Sequence, residues 1–210
     1  MCIHFNFDFK KATQALNYLA KRAGGNGTIN KMSAIKLIYF ADRYHLRKYG
    51  RPVTNDEYVA MPFGAVGSKT KDIAENTTFL DDIEINYSKR YIVKKGYEIQ
   101  SIDEVDMDVF SDSDAEALNF AVENLGHFDQ YELADISHAY PEWKKFESAF
   151  DSGMSTAFDM DYEDFFKNPE PGDRYLSKLD GKDLFIMNTN DTEAMLDYAK
   201  EQSEIRKLWE

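Results

Sequence analysis

Asp42 and His45 stand three residues apart in the segment NKMSAIKLIYFADRYHLRKYG, and on a helix that spacing puts a carboxylate and an imidazole on one face. Such a pair is the raw material of a general base or of part of a metal site. Two groups complete neither. A metal normally takes three protein ligands, and the other histidines, His4, His127 and His138, do not stand at HExxH or HxxxH spacing. Three readings of Asp42 and His45 stay open: a buried polar pair that orients its helix, a partner-binding pair, or the core of a metal-dependent hydrolase with a third ligand from elsewhere. The buried pair is preferred, because polar groups on an apolar face ordinarily satisfy one another. Nucleophilic chemistry finds less support: there is no GxSxG elbow, and the one cysteine, Cys2, is terminal. Gly24-Gly25-Asn26-Gly27 lacks the spacing of a phosphate loop and serves as helix punctuation. No cofactor is expected.

The elements that must position these residues are mostly helical. In FDFKKATQALNYLAKR, Phe9, Ala12, Leu16 and Leu19 recur at helical spacing with lysines between them. Ile35, Ile38, Asp42, His45, Leu46 and Tyr49 form one face of the next helix, which Thr28 or Asn30 can cap and which Gly50 and Pro52 close. The spacing predicts an extended stretch from Tyr58 through Phe63 and a brief helix over 69–76 capped by Ser68. It also predicts a small antiparallel sheet from 83–87 (IEINY), 90–94 (RYIVK) and 97–99. Ser111 and Asp114 open a helix that Gly126 ends, and further helices follow over 129–137, from Pro141 to about 150, and from Asp191 to about Leu208. The expected architecture is α+β, predominantly α-helical: a single compact helical domain over 1–150 with a small antiparallel β-sheet or hairpin. An acidic aromatic segment and a C-terminal helix, 151–210, pack on it.

Charge divides the chain. Its net charge is −13, yet residues 1–100 carry 16 Lys/Arg against 10 Asp/Glu, while residues 101–210 carry 9 against 28. An acidic half repels nucleic acid and attracts basic protein surfaces. No apolar run reaches the roughly 20 residues of a membrane span, and the N-terminus lacks a signal-peptide pattern, so a cytoplasmic location is expected.

Lys36-Leu37-Ile38-Tyr39-Phe40-Ala41-Asp42, His45-Leu46, Tyr49-Gly50-Arg51-Pro52, Tyr58, Ala60 and Gly64-Ala65-Val66 together resemble the Panacea-domain (SocA-like) family, whose pattern reads KLLYFAD, HL, YGRPI, Tyr-x-Ala and GPV. A second block, Leu118, Glu132-Leu133, Ser137-His138 and Pro141-Glu142-Trp143-Lys144, resembles the family's L-S-H-x-x-P-x-W segment. The resemblance covers about residues 7–150, with Ala65 standing where the family usually has Pro.

The resemblance implies a bacterial or phage antitoxin that neutralises a cognate protein toxin by direct contact, in a type II-like toxin–antitoxin system. Members' partners include translation-blocking small alarmone synthetases, and one member is an adaptor that delivers its toxin to ClpXP. Carried onto this chain, the motif residues are Lys36, Asp42, His45, Tyr58, Gly64, Ser137, His138, Pro141 and Trp143, expected to serve structure or partner binding rather than catalysis. The charge count adds a candidate toxin-contact segment: Asp159, Asp161, Glu163 and Asp164 facing a basic surface, with Tyr162, Phe165 and Phe166 as exposed anchors. The alternatives are the proteolytic adaptor, with the tail EIRKLWE as a tether, and the metal-dependent hydrolase.

Overall fold

The computed structural model describes residues 3–186 and 189–207, so Cys2, the expected helix end at Leu208 and the last residues of EIRKLWE lie outside the described residues. The chain runs α1 (Phe9–Arg22), β1 (Thr28–Asn30), α2 (Lys31–Tyr49), β2 (Tyr58–Met61), β3 (Gly64–Gly67), α3 (Ser68–Glu75), α4 (Asp82–Tyr91), β4 (Ile92–Lys95) and β5 (Glu98–Ser101). It continues through α5 (Asp112–Leu125), α6 (Gln130–His138), α7 (Pro141–Lys144), α8 (Glu147–Asp151), β6 (Phe158–Asp159) and α9 (Thr189–Lys207). Short 3-10 turns occur at Tyr162–Phe166 and Arg174–Leu179. The architecture is compact α+β, predominantly helical.

Helix α2 is the axis of the molecule. Asn30 caps it by accepting from the Met32 and Ser33 amides, and Gly50 ends it at φ 74°, a left-handed conformation that favours glycine. Its Ile35, Leu37, Ile38, Tyr39, Phe40, Ala41 and Leu46 are all buried, so this helix is wrapped on nearly every side rather than lying on a core. Helix α1 contributes Ala12, Ala15, Leu16 and Leu19; α5 adds Ala117, Leu118, Ala121 and Leu125; and α6 adds Leu133 and Ile136. Capping boxes at Asp81–Glu84, Ser111–Asp114 and Asp129–Glu132 start α4, α5 and α6.

Two three-stranded antiparallel sheets flank this bundle, in the orders β1-β5-β4 and β3-β2-β6. The first contains the expected hairpin, turning at Gly96, but its strands begin at Ile92 and Glu98. Residues 83–87 are not a strand. They belong to α4, whose capping box outweighs the Ile-Glu-Ile-Asn-Tyr alternation and whose buried positions, Ser88 and Tyr91, repeat at helical spacing. Ser68 does not cap α3 either: its N-cap is Gly67, and Asp56 from the preceding loop accepts the Lys69 and Thr70 amides instead.

The acidic aromatic segment joins the same core. Tyr162, Phe165 and Phe166 are buried in that core, Phe165 lying 5.9 Å from the Tyr39 ring and 5.5 Å from the Tyr58 ring, and Tyr162 6.2 Å from Tyr58. The expectation that these three aromatics are exposed is therefore corrected: they face α2, not solvent. What sequence alone misses is the need of α2 for apolar cover on the side that α1, α5 and α6 leave open.

Candidate functional site

Asp42 and His45 are both buried, but they do not form a pair. Asp42 accepts from the Val53 amide at 2.9 Å, the Thr54 amide at 3.1 Å, the Thr54 hydroxyl and the Tyr58 hydroxyl at 2.8 Å. Four donors on one carboxylate fix the loop that leads from α2 into β2. Burial pushes this carboxyl up to about 7, against the pull of those donors.

His45 turns the other way. Its Nδ1 lies 2.6 Å from the Arg51 carbonyl and its Nε2 2.9 Å from Ser113 Oγ. A carbonyl only accepts, so Nδ1 carries the proton and Nε2 accepts from the serine. Burial holds the imidazole down at about 4, so it is neutral at pH 7. Asp114, 3.3 Å from Nε2, finds its charge partners in Lys11 at 2.6 Å and Arg51 at 2.9 Å, which hold its carboxyl at about 2 against the effect of burial. Among the described residues no group of three or more His, Cys, Asp or Glu side chains is placed to hold a metal ion. The two residues that invite a chemical reading thus staple the two ends of the loop after α2.

The remaining motif residues converge on one place, the β2–β3 hairpin. Lys36, on α2, is buried and donates to the Ala65 carbonyl at 2.6 Å. No carboxylate lies within ion-pair distance of it among the described residues, and burial lowers its amine to about 7. Gly64 follows the hairpin turn at φ 88°, and a Cβ there would come within 2.6 Å of Lys36 Nζ and collide with Ser137 Oγ. Ser137 itself donates to the Ala134 carbonyl at 2.7 Å. Pro141 occupies the first position of α7, where its missing amide costs nothing. That short helix brings Trp143 over His138, ring centroids 3.7 Å apart, and the indole N–H donates to the Met61 carbonyl at 2.8 Å. Burial first, and the Lys36 amine second, hold the His138 imidazole at about 4, against a pull from the Pro62 backbone. Residues from both sequence blocks therefore enclose a single two-residue turn, Pro62-Phe63.

A lysine buried without a carboxylate makes stability depend on pH. The unfolded chain holds this proton up to about 10.5 and the native chain only up to about 7, so stability rises with pH between those values. Replacing Lys36 with Met is expected to reduce the slope of unfolding free energy between pH 7.5 and 9.5 by up to about 1.4 kcal/mol per pH unit, the equivalent of one proton. Urea titrations of both proteins across that range check it.

The candidate contact segment divides. Asp159 is exposed on β6, while Asp161 and Glu163 are half-buried, with Asp161 capping the 3-10 turn and Glu163 paired with Lys200 at 3.2 Å. Asp164 is buried and held by Lys145 at 2.5 Å and Lys167 at 2.6 Å, leaving little of its charge for a partner.

Sequence reasoning misses a further polar set. Arg43 and Arg47, one turn apart on α2, are buried and reach the segment after β6. Arg43 donates to the Phe165 and Lys167 carbonyls, lies 3.3 Å from Glu142 and covers the Tyr140 ring at 4.2 Å. Arg47 donates to the Phe165, Lys167 and Phe185 carbonyls and to Asn168. The available signal is two arginines at i and i+4 in the helix that carries the first motif block, among residues that are mostly apolar.

This arrangement, a motif helix buried on nearly every side with both blocks gathered on one hairpin, coincides with a family match. The family described as antitoxin SocA-like, Panacea domain matches residues 35–144, just over half of the chain, and the protein belongs to that family. The match runs from the first core residues of α2 to the end of α7, spanning every motif residue from Lys36 to Trp143. Neither a curated protein nor a solved structure matches the chain. Among the described residues no helix is long and apolar enough to cross a membrane.

Proposed function

We propose that this protein neutralises a cognate protein toxin by forming a complex with it. Membership of the SocA-like antitoxin family carries the reading. The burial of the motif side chains supports binding over turnover: Lys36, Asp42, His45 and Ser137 hold backbone and side-chain partners inside the fold, and none presents a reactive atom to solvent. Partner choice then lies on the surface around the motif. The test is co-expression of this chain with the protein encoded by the adjoining reading frame. Rescued growth together with co-purification of the two proteins is the expected result. Growth arrest that persists, or rescue without a complex, overturns it. Toxin lifetime separates inhibition from delivery to a protease, since an adaptor shortens that lifetime in a ClpX-dependent way.

The acidic half gives the encounter a sign. Asp159→Lys combined with Glu163→Lys is expected to slow association roughly three- to tenfold at low ionic strength, with the difference shrinking as salt is added. Stopped-flow or surface-binding kinetics at two salt concentrations check this, and equal rates at low salt count against a steering role.

A further inference from the structure

The hairpin turn at Pro62-Phe63 is held far more firmly than a two-residue connection requires. Gly64 leaves no space for a side chain, the buried Lys36 amine fixes the Ala65 carbonyl, the Trp143 indole fixes the Met61 carbonyl, and the proline ring fixes φ at position 62. Desolvating a lysine amine against one carbonyl is unfavourable on its own, and unfavourable features of this kind persist where a conformation is needed for more than stability. What the turn presents is an apolar ring: Phe63 is 68% exposed.

A second exposed aromatic lies on α6, the helix that packs against β3 beside the turn. The Ala134 carbonyl of α6 lies 3.3 Å from where a Gly64 Cβ would be, and Tyr131 shares a helical face with Ala134 and His138 and is 64% exposed. Asp129, Glu132 and Asp135 flank Tyr131 in sequence, and Lys178, paired to Glu132 at 2.9 Å, offsets one of the three, which leaves the patch a net acidic border. Rigid aromatic side chains surrounded by polar groups are the usual form of an interface anchor, because little conformational freedom remains to be lost on binding.

We propose that Phe63 on the pinned β2–β3 turn, with Tyr131 beside it, is the anchor that this antitoxin inserts into an apolar pocket with a basic rim on its toxin. The proposal rests on the toxin-binding function above and assigns it an anchor in addition to the acidic segment that begins on β6, the strand paired with β2. The motif residues act from beneath, as positioning residues for the turn.

The experiment measures affinity of the full chain for the protein encoded by the adjoining reading frame, with Phe63→Ala, Tyr131→Ala and Phe79→Ala beside the wild type. Phe79, 84% exposed in the loop between α3 and α4, is the control. Phe63→Ala is expected to weaken binding at least tenfold and Tyr131→Ala at least threefold, with the unfolding midpoint unchanged, and Phe79→Ala to bind like the wild type. If the wild type binds and both Phe63→Ala and Tyr131→Ala bind within twofold of it, the anchor is overturned and the antitoxin function stands. A loss shared by Phe79→Ala, or one that tracks a lowered unfolding midpoint, also overturns the anchor. If the wild type neither binds nor neutralises, the functional reading falls and the anchor with it.

Discussion

Arg43→Ala is expected to destabilise the protein by about 3–5 kcal/mol, the range for removing one partner from a buried charge pair. The guanidinium has no exposure to solvent, and its removal takes a partner from four groups. Glu142, also fully buried, loses the cation 3.3 Å away and keeps the hydrogen bond from the Tyr39 hydroxyl at 2.6 Å. The Phe165 and Lys167 carbonyls lose one donor each, and Tyr140 loses the cation over its ring. Arg47 still reaches both carbonyls, which limits the loss there and concentrates it on Glu142. Arg43→Lys is expected to recover little, because an ammonium cannot span two carbonyls and a carboxylate in one plane. Removing the stranded charge as well, in Arg43→Met with Glu142→Gln, is expected to recover more than half of the loss. Urea unfolding of the three variants at constant pH checks the ordering.

Gly64→Ala is expected to cost about 2–5 kcal/mol, a large effect for one methyl group. Two penalties add. At φ 88° an alanine adopts a left-handed conformation worth roughly 1–2 kcal/mol, and its Cβ must displace Ser137 Oγ and the Lys36 amine, overpacking worth a further 1–3 kcal/mol. Neither neighbour can retreat without losing a buried hydrogen bond, Ser137 to Ala134 or Lys36 to Ala65. Gly64→Ala combined with Ser137→Ala relieves the nearer collision and is expected to regain part of the loss, whereas the backbone penalty stays. Thermal unfolding of the single and double variants separates the two contributions. A single variant within 1 kcal/mol of wild type contradicts the packing described.

Most helices are legible in the chain because their ends are written in side-chain chemistry: Asn30 and Gly50 on α2, and Ser111 with Asp114 on α5. The error over 83–87 has the same source, since a capping box at Asp81–Glu84 is as readable as the alternation that competes with it. Strands β1 and β6, three and two residues long, exist through their partners β5 and β2, and too few residues carry any local pattern. At the site, periodicity places Asp42 and His45 on one helix but says nothing of which neighbours arrive there. Asp42 takes Thr54 and Tyr58, and His45 takes Arg51 and Ser113, so adjacency on a face does not become a pair. The aromatics after residue 160 read as surface anchors beside so many acids, yet the carboxylates project outward or find lysines while the rings turn inward. In a short 3-10 turn Tyr162 and Phe165, three residues apart, share one inward side, a pairing that acidic composition does not reveal.

The two arginines of α2 hold the segment after β6 mainly by its main-chain oxygens, at Phe165, Lys167 and Phe185. A carbonyl is the same whichever residue carries it. Exposed residues of this segment that hold none of its side-chain hydrogen bonds or ion pairs among the described residues, Glu170 for one, can therefore be rewritten without loosening its attachment. The domain thus carries a re-letterable outer strip fastened by fixed clasps, and a new surface can be tried there while the helix beneath it stays the same.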